Sequence, residues 1–121
     1  MINERPHKKL NLWIESIELV ISIYEITKKF PKEEEYGIKS QLRRAAVSVP
    51  SNISEGLTRK TNADKLHFLN IANGSLSEID TQLEISIRLK YIDLQDFTIV
   101  ENKIVSIEKM LSGLIRKLKS L

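Results

Sequence analysis

Near the C-terminal end of the chain, Phe97, Val100, Ile104, Ile107, Leu111, Leu114 and Leu118 follow one another at steps of 3-4-3-4-3-4 without a miss. Residues at that spacing share one side of an α-helix, so the run predicts a long helix with a single apolar stripe. Such a stripe is stable only when other elements cover it. Leu66, Leu69, Ala72, Leu76, Ile79, Leu83 and Ile87 repeat the pattern upstream, as do Ile38, Leu42, Ala45, Val49 and Ile53. No segment alternates apolar and polar residues between turn signals, so strands are not expected. Four helices are predicted, over about 10–29, 34–58, 62–90 and 94–119. With 121 residues there is one core and one domain spanning 1–121. Short connections between long helices point to an all-α, antiparallel up-down-up-down four-helix bundle.

Local signals place the helix ends. Phe30-Pro31 stops the first helix, because proline disfavours helical backbone in the residue before it. Glu33, Glu34 and Glu35 suit the positive start of the second helix. Pro50 falls inside that helix, removes one backbone donor and predicts a kink rather than an end, because the stripes continue beyond it. Thr61 to Asp64 reads as a capping box for the third helix, and Asp93 and Asp96 are alternative caps for the fourth. Gly74, in mid-helix, predicts a close approach between helices, with Ala45 and Ala46 as facing residues.

The first helix carries two apolar stripes. Leu10, Trp13, Ile17, Val20, Tyr24 and Thr27 form a seam expected to face the core. Leu12, Leu19, Ile23, Ile26 and Phe30 form a second stripe, which predicts contact with another copy in a closed cyclic homo-oligomer.

Polar residues are also ordered. Gln41, Arg44, Ser48, Asn52, Glu55 and Arg59 recur along one side of the second helix, and Ser75, Glu78 and Gln82 along the third. Two readings stand side by side. The first is a structural network, with Arg44 paired to Glu78 and with Gln82, Asn52 and Ser48 satisfying groups around Pro50. The second is a ligand or nucleic-acid site lined by Gln41, Arg43, Arg44 and Arg59.

Charge and composition narrow the function classes. The net charge of +3 is modest, but Lys109, Arg116, Lys117 and Lys119 follow Glu108 with no further acid. Cations there complement the helix dipole and also attract polyanions. A nucleic-acid surface would draw on Lys8, Lys9, Arg43, Arg59, Lys60, Arg116, Lys117 and Lys119 through phosphate contacts. A protein–protein adaptor is the alternative from another class. Catalysis lacks its usual constellations: two histidines, His7 and His67, no Glu-x-x-His motif and no glycine-rich phosphate loop. No enzyme activity, cofactor or metal is expected. Zero cysteines, no secretory pattern and no long apolar run suggest a cytoplasmic protein away from membranes.

The runs FPKEEEYGIKSQLRRAAVSVPSNISEG and FLNIANGSLSEIDTQLEISIRLKYI closely resemble the bacterial 23S rRNA intervening-sequence proteins. The resemblance extends from Leu12-Trp13 into the last helix. It implies a short four-helix bundle that assembles into a homopentamer, without enzyme activity. A related branch is the accessory variability protein of diversity-generating retroelements, which implies a reverse transcriptase and nucleic acid as partners. The family pattern falls here on Gln41, Arg43, Arg44, Ser48, Pro50, Asn52, Glu55, Gly56, Gly74, Ser75, Glu78 and Gln82.

Overall fold

Each helix begins or ends where a side chain or a turn satisfies its open backbone groups. The computed structural model describes Arg5, His7 and residues 10–121. Helix α1 spans Asn11–Thr27, α2 Ile38–Leu57, α3 Asn62–Arg88 and α4 Leu94–Lys119, with a 3₁₀ turn over Lys32–Glu34. The Thr61 hydroxyl accepts the Asp64 amide at the start of α3 (3.1 Å). Asp93, rather than Asp96, caps α4 by accepting the Asp96 amide (2.8 Å). At the end of α3, Lys90 takes a left-handed conformation (φ 65°), and the Lys90 and Tyr91 amides donate back to the Ile87 and Ser86 carbonyls. That is a Schellman closure, here with lysine where glycine is usual.

The acidic run before α2 does not form its first turn, because the chain leaves Pro31 in a 3₁₀ turn and enters the helix only at Ile38. Glu34 nonetheless reaches forward. Its carboxylate accepts the Ile38 amide (3.2 Å) and the Tyr91 hydroxyl (2.9 Å), tying the start of α2 to the end of α3. Helix α2 then runs unbroken through Pro50 to Leu57.

The helices pack in ring order: α1 against α2 and α4, and α3 against α2 and α4. Leu19, Ile23, Leu42, Val49, Ile53, Leu69, Leu76, Ile79, Leu83, Val100, Ile107 and Leu111 are completely buried. Each such side chain contributes about 1.5–3 kcal/mol on leaving water. Between α3 and α4 the partners fall in reverse order, with the Asn62 amide near the Leu118 carbonyl and Glu101 near Asp80. Burial and the facing Asp80 carboxylate push the Glu101 pKa up.

Two expectations are corrected here. The stripe Leu12, Leu19, Ile23, Ile26 and Phe30 lies inside the chain's own core and is not free to meet another copy. Ser16 and Thr27 share that buried side, their hydroxyls bonded to the Trp13 and Ile23 carbonyls (2.7 and 2.6 Å). The flanking stripe is the more exposed one: Trp13, Ile17 and Val20 are half-buried, and Tyr24 and Leu10 are exposed. Gly74 is not a point of close approach either, since a Cβ built there meets nothing within 4 Å. The close approach is at Gly56, where a Cβ would lie 3.2 Å from the Lys65 carbonyl oxygen and 3.2 Å from the Phe68 Cβ.

Alanine therefore has opposite effects at the two glycines. Gly74→Ala should stabilise by about 1 kcal/mol through helix propensity alone. Gly56→Ala should destabilise by about 1 kcal/mol or more, because overpacking against a backbone carbonyl outweighs the same gain. Thermal melts of both variants, followed by circular dichroism, check this. An equal rise in Tm for both would remove the close approach at Gly56.

Candidate nucleic-acid interface

The polar stripes of α2 and α3 meet along one seam. The Ser75 hydroxyl donates to Ser48 Oγ (2.8 Å), and the Asn52 amide donates to the Ser48 carbonyl (2.8 Å) and hydroxyl (2.9 Å). Toward the other end, Gln82 Nε2 donates to Gln41 Oε1 (3.2 Å) and to Glu78 Oε2 (3.2 Å). Partner numbers rise on α2 as they fall on α3, so these bonds read out the register of the pair. The expected Arg44–Glu78 ion pair is not formed among the described residues; both side chains sit at the exposed edge of the seam. Glu55 pairs instead with Arg59 one turn on (2.7 Å).

Gln82 and Ser75 are the buried members of the seam, and Gln82 is the larger. Its exposure is 7%, and its Oε1 has no hydrogen-bond partner. An unpaired buried carbonyl costs about 1–3 kcal/mol, an amount that the bonds to Gln41 (about 0.5–1.5 kcal/mol) and to the Glu78 carboxylate (about 1.5–3 kcal/mol) offset. Gln82→Met, which keeps length and removes both that oxygen and the two amide bonds, is expected to change stability by no more than about 1 kcal/mol. Glu78 is exposed, and Glu78→Ala is expected to change stability by no more than about 0.5 kcal/mol. Chemical denaturation of both variants tests this. A large loss for Gln82→Met would mean the seam is a net stabilising network.

The predicted basic residues divide between two ends of the molecule. Arg59, Lys60, Arg116, Lys117 and Lys119 collect where α2 ends, α3 begins and α4 ends, an arrangement held by the Asn62–Leu118 bond (3.5 Å) and the Gly56–Lys65 approach. Lys65 joins them, a residue the sequence reading passed over. Arg59 is partly committed: besides Glu55, its guanidinium lies 4.6 Å from the Phe68 ring centre. Lys60, Arg116, Lys117 and Lys119 are exposed and take part in no ion pair among the described residues. Lys8 and Lys9 lie outside the described residues.

Arg43 belongs to the opposite end and is held locally. Its Nε donates to Thr27 Oγ1 (2.8 Å), one Nη donates to the Tyr24 carbonyl (3.2 Å), and the guanidinium lies 4.4 Å from the Tyr24 ring centre. It fastens α2 to the end of α1 and is not part of the basic end.

Comparison with known proteins agrees with the architecture. The family model described as 23S rRNA-intervening sequence protein matches residues 8–113. The crystal structure of a protein of unknown function from the S23 ribosomal protein family of Bacteroides thetaiotaomicron VPI-5482 superposes with a TM-score of 0.80. The two are 28% identical, with 86% of this chain and 97% of that chain covered. No curated protein matches the chain. Because the family model spans well over half of its residues, the α2–α3 seam included and Arg116, Lys117 and Lys119 not, the chain belongs to the 23S rRNA-intervening sequence protein family.

Proposed function

We propose that this protein is a non-catalytic accessory protein that holds RNA or DNA by its phosphates at the basic end of an up-down-up-down bundle. The observation that carries this reading is the gathering of Lys60, Arg116, Lys117 and Lys119, exposed and without an ion pair among the described residues, where three helix ends meet. A helix dipole accounts for cations on the last turn of α4, but not for Lys60 and Lys65 beside them. Contacts of this kind bind phosphate and carry little sequence information. Four phosphate contacts per chain give a slope of log K against log salt of about −3 to −4. Fluorescence anisotropy with duplex DNA and structured RNA, between about 50 and 200 mM salt, measures that slope. Lys117→Glu with Lys119→Glu should weaken binding strongly and leave helicity unchanged. Absence of binding at the lowest salt would reject the reading and leave the protein–protein adaptor in its place.

Assembly into a cyclic homo-oligomer, a pentamer by family resemblance, would multiply that charge around an axis. The surface that supports assembly is the outer side of α1, where Ile14 and Ile21 are 40% and 58% exposed. Next to it lies a groove of about 240 Å³ lined by Trp13, Ile17, Val20, Val47 and Pro50. Ile21→Glu should then reduce the mass seen by light scattering toward the 13.9 kDa of a single chain. A wild-type protein already at that mass would end the oligomer proposal.

A further inference from the structure

The end of the molecule opposite the basic cluster holds a cleft of about 370 Å³, lined by Tyr24, Glu35, Tyr36, Lys39, Arg43 and Arg44. Its most unusual member is Tyr36, which is 96% exposed. The turn that presents Tyr36 is anchored on both sides, by the Glu34 carboxylate bonded to Ile38 and Tyr91 and by α2 itself. Arg43 is equally fixed, with two of its five N–H groups spent on Thr27 and Tyr24 and the others uncommitted among the described residues. Arg44 is exposed and has no ion-pair partner among the described residues. The cleft therefore combines one free aromatic face, one clamped guanidinium and one free guanidinium.

From this juxtaposition we infer that the cleft binds an unpaired nucleotide of a single strand, its base stacked on Tyr36 and its phosphodiester on Arg43 and Arg44. Every base offers a face for stacking, and arginine forks suit phosphate oxygens. Glu35 also lines the cleft, and its pairing with Lys39 (2.8 Å) holds its carboxyl below the usual value, so it stays ionised. An ionised carboxylate opposes a free phosphate dianion more than a singly charged phosphodiester, and it can accept a hydrogen bond from the exocyclic amine of a base. A base-paired duplex cannot use the site, because its base faces are already stacked. The inference takes its ligand class from the nucleic-acid reading above but uses different residues at a different end of the bundle.

The test compares a labelled single strand of about 12 nucleotides with a duplex of the same length, within the range of known single-strand site sizes. Tyr36→Ala and Arg44→Ala alter exposed side chains, so the bundle is retained; circular dichroism confirms it. Each should weaken single-strand binding about 5- to 100-fold and leave duplex binding unchanged. Lys117→Glu with Lys119→Glu should weaken the duplex, and because a single strand also offers phosphates to the basic end, the single-strand comparisons of Tyr36→Ala and Arg44→Ala are made in that background. Single-strand binding that is absent in the wild type, or equally tight in Tyr36→Ala and Arg44→Ala, overturns the inference. Duplex binding would then still decide the basic-end reading on its own.

Discussion

The register between α2 and α3 is the constraint on which the rest of the molecule depends. At Gly56 the two backbones come so close that no Cβ fits without displacing the Lys65 carbonyl or Phe68. Further along, Ser48–Ser75 and Gln41–Gln82 bonds span the same pair. Sliding one helix by a turn moves it about 5.4 Å, which breaks these contacts together and puts a side chain against the gap that Gly56 leaves. Each bond contributes only about 1 kcal/mol, so their weight lies in specificity of register more than in stability.

That register decides what collects at the ends. With α2 and α3 fixed, Arg59, Lys60 and Lys65 share one end, and the Asn62–Leu118 contact brings the basic last turn of α4 beside them. The opposite end receives the Glu34 anchor, Tyr36 and the Arg43 clamp. The bundle is thus chemically polar along its axis although its net charge is only +3. A cluster of cations at one end and an aromatic–cation cleft at the other follow from placement, since the composition is ordinary.

Much of the fold could be read from the residues. The 3-4 spacing on α4, the Thr61 cap, a cap for α4 at one of two aspartates and the continuation of α2 through Pro50 all rest on local rules, and each has its counterpart in the structure. The misreadings share a cause. On α1 two apolar stripes lie side by side, both rich in Leu, Ile or Val, and periodicity counts the stripes without saying which faces inward. One signal was available: Trp13 and Tyr24, with polar atoms to keep wet, suit a half-exposed stripe better than Leu19 and Ile23 do. Gly74 and Gly56 are alike as letters, yet only one sits against a neighbouring backbone. Arg44 and Glu78 share a seam but not an ion pair, because spacing along each helix leaves the distance between helices open.

By itself, the sequence determined that this chain makes four helices, that Thr61 opens the third and that their apolar sides must be covered, because these follow from interactions within a few residues of one another. Only the tertiary structure decided which stripe of α1 is core, where α2 and α3 touch, and which cations gather at one end. Those depend on contacts between residues far apart in the chain, and their geometry exists only once the helices have packed.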